Sequence, residues 1–133
     1  MAEDFLFRES YIEISFDEEA KWIYADWIGF QTVASVKNGC EKILLGLQQK
    51  GYTKVLNDNT QVQGIWSGAS EWVAVDWFPR MREAGMTCFA WIYSPSVFSQ
   101  LSTDKTLNHT NEGFVKTFYD IAQAKSWLLN QSK

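Results

Sequence analysis

The residues of this chain that could perform acid–base or metal chemistry are few and scattered. The single histidine, His109, lies in a polar stretch without a second His or a Cys nearby to complete a metal shell. A Ser-His-Asp or Cys-His catalytic group would need this same residue, which we interpret as a solvated loop residue. The sequence therefore predicts no catalytic residue and no metal site, and we expect no metal ion or organic cofactor.

Asp58 is the carboxylate best placed for a functional role. It belongs to a polar run, Asn57-Asp58-Asn59-Thr60, that we interpret as the turn after a short strand over residues 54–57. Open α/β sheets build their ligand sites at the carboxyl ends of strands. A turn-forming Asp is the simpler interpretation. An enzyme that uses Asp58 as an acid or base stays as an alternative, although no second catalytic group accompanies it.

The segment from Gly64 to Gly68 is the closest approach to a glycine-rich binding loop. It is either a flexible connection or an anion or peptide site at the start of a helix capped by Ser67 or Ser70. We expect Trp66 in this loop and Trp72 near the start of the following helix to be exposed and to contact a partner. The predicted binding surface consists of Asn57, Asp58, Asn59, Thr60, Trp66 and Ser67.

Strands and helices alternate along the chain that positions these residues. Period-two and apolar runs predict strands over residues 11–16, 22–28, 54–57, 86–93 and 114–119. Helical spacing predicts a helix that Gly51 ends, a second one interrupted by Pro79, and a last one that Asp120 caps. Residues 96–101 are expected to form one more short helix. We expect Pro79 to kink the second helix near Trp77 or to lie in the first turn of a restarted helix.

This order predicts one α/β domain over residues 1–133. An opening β-hairpin is followed by alternating helices and strands, which form a mixed, mostly parallel sheet of about five strands with helices on both faces. Residues 1–10 are expected to be a disordered N-terminal segment, and 102–113 the most mobile stretch. Cys40 and Cys88 lack a paired spacing and are interpreted as buried thiols, and Trp91 is placed in the core.

Charge and hydropathy exclude several classes of partner. The formal net charge is −4 and the sequence pI is about 4.9, so we expect neither nucleic acid nor an anionic membrane surface as a partner. No run approaches the roughly 18 apolar residues of a membrane span. Residues 1–10 lack the basic and apolar regions of a secretory signal, which favours a cytoplasmic protein.

Three segments carry a resemblance to a known family, beside the opening hairpin. They are Lys54-Val55-Leu56-Asn57-Asp58-Asn59, Asp76-Trp77-Phe78-Pro79-Arg80-Met81 and residues 118–128. With the order of elements, they resemble the SpoIIAA-like branch of the STAS group, the anti-sigma-factor antagonists. The resemblance implies a SpoIIAA-like fold and a bacterial, non-enzymatic signalling module.

The resemblance also bears on regulation. In the antagonists, a serine within an Asp-Ser-Ser-Gly-like turn after the third strand is phosphorylated, which controls binding to a partner kinase. The corresponding turn here reads Asp58-Asn59-Thr60-Gln61 and lacks both the serine and the glycine. Thr60 and Ser67 are the remaining phospho-acceptor candidates.

These observations predict a non-enzymatic binding or regulatory module. We expect it to recognise a protein partner or a small ligand at the carboxyl ends of its strands, and a homodimer is one option for the partner. The alternative is a carrier of a small apolar ligand in an aromatic-lined pocket, which the seven tryptophans suggest.

Overall fold

The computed structural model describes residues 4–110 and 113–131, which form a single α/β domain. Its strands are β1 (Asp4–Glu9), β2 (Ile12–Asp17), β3 (Trp22–Phe30), β4 (Lys54–Gln63), β5 (Cys88–Ile92) and β6 (Val115–Phe118). Its helices are α1 (Val33–Lys50), α2 (Ser70–Trp72), α3 (Phe78–Glu83), α4 (Val97–Leu107) and α5 (Ile121–Leu129). None of the helices in these ranges is long and apolar enough to cross a membrane.

All six strands form one sheet in the order β1-β2-β3-β4-β5-β6. The first two pairs are antiparallel and the other three are parallel, so the predicted mixed, mostly parallel sheet is confirmed. The sheet has six strands rather than five because residues 4–9, which were expected to be disordered, pair with β2 as β1. Residues 1–3 lie outside the described ranges.

The helices cover both faces of the sheet, as predicted. The parallel strands advance in one direction across the sheet, and right-handed connections then place the connecting helices on one face. α1, the helical segment 67–83 and the end of α4 pack there over a large apolar core. α5 packs on the opposite face, where Ala124 and Leu128 lie against Leu56 of β4 and Ala90 of β5.

Local signals set the limits of α1. Thr32 caps its N-terminus, because its hydroxyl oxygen accepts a hydrogen bond from the Ser35 backbone N–H. In return, the Thr32 backbone N–H donates to the Ser35 hydroxyl oxygen. Gly51 ends the helix in the left-handed conformation, with φ of 68°. The predicted stop at Gly51 is therefore confirmed.

Two predicted polar loops are regular structure. β4 continues to Gln63 instead of ending at Asn57 in a turn, and α4 extends to Leu107 through a stretch that was expected to be mobile. Residues 111 and 112 of that stretch lie outside the described ranges. Distant segments provide partners for polar groups of both stretches. The Ser70 hydroxyl donates to the Ser102 carbonyl oxygen of α4, and the Ser94 hydroxyl donates to the Val62 carbonyl oxygen of β4.

Pro79 lies in the first turn of α3, as expected. This helix does not start anew, because a turn of π-helix over Val73–Trp77 joins α2 to α3 without a non-helical residue between them. The predicted caps are wrong. Neither Ser67 nor Ser70 caps a helix, because the Ser70 hydroxyl donates to the Ser102 carbonyl oxygen instead.

A substitution in α1 tests how closely this helix packs on the sheet. A Cβ at Gly39 would lie 2.4 Å from Trp27 Cη2, and the Trp27 ring is held by a hydrogen bond from its Nε1 to Asn57. Overpacking costs about 1–3 kcal/mol, whereas alanine gains about 1 kcal/mol over glycine in a helix. We expect Gly39→Ala to lower the free energy of unfolding by about 1–2 kcal/mol in urea titrations.

Gly46 provides the matched control in the same helix. A Cβ there would meet only the flexible Cδ1 end of Leu6, at 2.9 Å. Gly46→Ala should therefore be neutral or stabilising by up to about 1 kcal/mol. Equal effects of the two substitutions would contradict the close packing of Gly39 on Trp27.

Candidate functional site

A small aromatic pocket lies at the carboxyl ends of the parallel strands β3, β4 and β5, beneath the first half of α1. Its walls are Trp27, Gln31, Val36, Cys40, Asn57, Asn59, Val62, Trp66, Val73, Trp77, Phe89 and Trp91. None of these residues carries a formal charge. The free space is about 30 Å³, which accommodates water but is far below the roughly 300–1,000 Å³ of a site for a drug-sized ligand.

Four of the twelve wall residues are tryptophans, and their indole groups are held in different ways. The indole N–H of Trp27 donates to Asn57 Oδ1 and that of Trp77 to the Cys40 carbonyl oxygen, each over 2.8 Å. The N–H of Trp91 is buried without any partner in the described residues. Trp66 stacks on Trp91, with ring centroids 6.0 Å apart and an interplanar angle of 21°. Two indoles are thus anchored through their N–H groups and two are not.

Three carboxamide side chains complete the wall. Gln31 uses its whole amide group, because its Nε2 donates to the Tyr11 and Ile28 carbonyls and its Oε1 accepts from Ser35. Asn57 is fixed in orientation, since its Oδ1 must accept from Trp27. The Asn57 NH₂ group and the Asn59 amide form no hydrogen bond with the described residues.

The structure brings three of the six predicted site residues together. Asn57 and Asn59 point to one face of β4 and line the pocket with Trp66. Trp66 was expected to be exposed, but it is only 7% exposed because it packs on Trp91. That expectation was wrong.

The other three predicted residues lie outside the pocket. Asp58 lies on the opposite face of the sheet because side chains alternate along a strand. Thr60 is exposed at a bulge, where β4 has two residues between Asp58 and Gln61 and β3 has only Trp27 between the paired Asp26 and Ile28. Ser67 is half-buried directly after Trp66.

Asp58 is buried and held in place by two hydrogen bonds. The Tyr24 hydroxyl donates to its Oδ2 over 2.6 Å, and the Thr60 backbone N–H donates to its Oδ1 over 2.9 Å. This arrangement stabilises the bulge of β4. It gives little support to Asp58 as a catalytic acid or base.

The Cys40 thiol in the pocket wall is not activated as a nucleophile. Burial raises the pKa of the Cys40 thiol well above its usual range, and the neighbouring Glu41 carboxylate adds to this shift. A thiol of that kind stays protonated and is a poor nucleophile at neutral pH. Among residues 4–110 and 113–131, no three His, Cys, Asp or Glu residues come together in a group that could hold a metal ion.

The pocket residues contributed by neighbouring elements were not predicted as part of the binding surface. Trp91 pairs directly with Asn57 across β5 and β4, and Trp27 is adjacent on β3. Their common position at the carboxyl ends of adjacent strands was a usable signal, because side chains opposite one another in a sheet lie on one face. Gln31 and Cys40 gave no such signal, since only the packing of α1 brings them to the pocket.

Exposed apolar side chains lie on the outside of the molecule, on segments next to the pocket. Large apolar side chains are exposed on the three segments that meet at this end, and we call them the apolar face: Phe30, Val33, Ile65, Val97, Phe98 and Leu101. The segments are in contact. A Cβ at Gly64 would lie 2.8 Å from the Phe30 ring, and the Trp66 backbone N–H donates to the Ser102 hydroxyl of α4.

The fold and the site together define a class: an α/β domain with an uncharged aromatic pocket, surrounded by exposed apolar side chains, at the carboxyl ends of its parallel strands. Comparison of the chain with protein-family models, with curated proteins and with solved structures found no match. The functional argument therefore depends on the geometry of this end of the molecule.

Proposed function

We propose that this chain is a non-enzymatic regulatory module of the cytoplasm that binds a protein partner through its apolar face. The observation that carries the proposal is the exposure of these side chains. Phe30 is 73% exposed, Phe98 62% and Ile65 59%, although each is large and apolar. Exposed apolar residues that are clustered, rather than scattered singly, are typical of interaction surfaces.

The distribution of charge supports this proposal. Residues 27–36, 59–70 and 89–103 contain no charged side chain, and all 12 Lys and Arg and all 16 Asp and Glu lie elsewhere in the chain. The cores of protein interfaces are depleted of charged residues and enriched in aromatic ones. A partner with an apolar, uncharged surface would fit this end of the molecule without leaving a charge buried and unpaired.

The resemblance to SpoIIAA-like domains supports a regulatory role for such a surface. Ser67 lies between Trp66 and Gly68, in the middle of the three segments. A phosphate there would add about −1.5 to −2 charges to a surface that has none, which would oppose the docking of an apolar partner. Thr60, exposed on β4, is the second candidate acceptor.

The two alternatives have weaker support. A carrier of an apolar ligand would need a cavity, and the pocket holds a space of only about 30 Å³. An enzyme that uses Asp58 would need this side chain to be accessible, whereas it is buried and bonded to Tyr24 and Thr60. Free thiols at Cys40 and Cys88 fit a reducing compartment such as the cytoplasm.

Site-specific photo-crosslinking in the native cells tests the proposal. A photoreactive phenylalanine analogue at position 98 should give a discrete cross-linked adduct with one protein. The same analogue at position 129 is the control, because Leu129 is 61% exposed but lies on α5. Identical adducts from both positions would contradict the proposal, and an adduct with a second copy of this chain would show a homodimer as the partner.

A further inference from the structure

The hydrogen-bonding groups left free in the pocket are mainly donors. The N–H of Trp91 has no acceptor, and the Asn57 NH₂ group forms no hydrogen bond with the described residues. Asn59 adds one amide with both a donor and an acceptor. The Trp91 N–H lies in the plane of its ring and cannot reach a ligand stacked on the face of that ring. The amide groups of Asn57 and Asn59 are therefore the donors that favour an occupant with acceptor oxygens or nitrogens.

Trp66 is one of the two wall tryptophans whose indole has no anchoring hydrogen bond with the described residues. Trp27 and Trp77 are anchored through their indole N–H groups, whereas the N–H of Trp66 forms no hydrogen bond with the residues that the structure describes. Its backbone is held to α4 by the Ser102 hydroxyl. The indole itself is held by stacking on Trp91 and by packing alone.

We propose that the pocket binds an uncharged planar heteroaromatic ring, which displaces the Trp66 indole and stacks on Trp91 in its place. The vacated space has the size and the flat shape of an indole. A ring in this position would lie beside Asn57 and Asn59, which can donate to acceptor atoms on its edge. This site is distinct from the apolar face, and its test needs no protein partner.

The chemistry of the wall selects the class of ligand. Stacking on an indole favours a flat ring over a saturated one. The twelve wall residues include no Lys, Arg, His, Asp or Glu, so an ionised ligand would lose its hydration without gaining an opposite charge. A neutral ring with a carbonyl or ring nitrogen satisfies both conditions.

Three small probes of similar size test separately whether the ligand must be planar and whether it must be uncharged. Nicotinamide is planar and neutral, nicotinate is planar and anionic, and cyclohexanecarboxamide is neutral but not planar. Titration calorimetry and ligand-observed NMR would compare their binding to the parent protein, to Trp66→Ala and to Trp72→Ala. Trp72 is the matched control, because it lies on the neighbouring helical turn but does not line the pocket.

We expect Trp66→Ala to bind nicotinamide at least about tenfold more tightly than the parent does, because the competing stack of the chain's own indole is removed. Nicotinate and cyclohexanecarboxamide should bind this variant at least about tenfold more weakly than nicotinamide. Trp72→Ala should bind like the parent.

Cysteine labelling tests whether Trp66→Ala opens only the pocket and leaves the rest of the domain folded. Cys40 lines the pocket, whereas Cys88 is buried in the core on the other face of the sheet. In a Cys88→Ala background, Trp66→Ala should speed the reaction of Cys40 with an uncharged maleimide, and nicotinamide should slow it again. In a Cys40→Ala background, neither Trp66→Ala nor the addition of nicotinamide should change the rate at which Cys88 is labelled.

Two results would overturn the inference. One is no binding of nicotinamide to either the parent or Trp66→Ala at millimolar concentration. The other is equal affinity for nicotinamide and for one of the two other probes. Faster labelling of Cys88 together with Cys40 would show that the variant unfolds. In that case, nicotinamide binding to the parent decides, and its absence there rejects the site without affecting the proposed partner surface.

Discussion

Trp91→Ala should lower the free energy of unfolding by about 3–5 kcal/mol, the cost of removing a large aromatic side chain from a core. Trp91 is 3% exposed and stacks on Trp66, and its ring contacts Phe78 and Phe89 edge-on at centroid distances of 6.2 and 5.5 Å. Urea denaturation followed by circular dichroism measures this loss. An unchanged midpoint would contradict the position of Trp91 in the core.

Phenylalanine substitutions separate the ring of Trp91 from its N–H group. Trp91→Phe removes an N–H that has no partner, whereas Trp77→Phe removes a hydrogen bond to the Cys40 carbonyl oxygen. A hydrogen bond contributes about 0.5–1.5 kcal/mol net. Trp77→Phe should therefore cost more than Trp91→Phe by about this amount. The reverse order would show that the Trp91 N–H has an acceptor in solution.

The pair of substitutions Phe98→Asp and Leu101→Asp should weaken binding of the cross-linked partner at least about 30-fold. Central apolar side chains of an interface contribute about 2 kcal/mol or more each, and a carboxylate adds a desolvation cost. Both residues are exposed, so the free energy of unfolding should change by no more than about 0.5 kcal/mol for each. Surface plasmon resonance with the identified partner measures the affinity.

Leu129→Asp is the matched control for this pair. It introduces the same carboxylate at an exposed leucine on α5, away from the apolar face. Its affinity for the partner should equal that of the parent. An equal loss of affinity in the control would show that added negative charge, and not the apolar face, governs binding.

The parts of the fold that depend on local patterns could be predicted from the sequence. The alternation over residues 12–16 and the stripe of Val36, Cys40, Ile43 and Leu47 each identify their element, because one face of a strand or helix must be apolar. The position of Pro79 in the first turn of α3 followed from its missing N–H alone. These features need no information about distant residues.

The second half of β4 could not be predicted because its partners are distant in sequence. Asn57 and Asp58 read as turn residues, but Trp27 and Tyr24 provide hydrogen bonds that let them be buried. The Ser94 hydroxyl likewise donates to the Val62 carbonyl oxygen. A polar run within a buried strand is stable only when segments distant in sequence supply its hydrogen-bonding partners. No local sequence pattern predicts those partners.

The location of the candidate site was predicted better than its residues. The site was expected at the carboxyl ends of the strands, where the pocket lies, but its six residues, drawn from residues 57–67, were expected to form one surface. Once β4 continues through Asn57 and Asn59, alternation turns Asp58 to the other face. Trp66 was expected to be exposed but is buried, because it packs on Trp91, which follows it by 25 positions in the chain.

The strand order β1 to β6 has a consequence for how the chain can assemble during translation. Each strand of the sheet pairs only with the strands just before and after it in sequence. No strand has to wait for a later one to be inserted beside it, as happens in sheets whose order crosses over. A nascent chain emerging from the ribosome N-terminus first could therefore add strands one at a time, and the sheet would grow outward at a single moving edge.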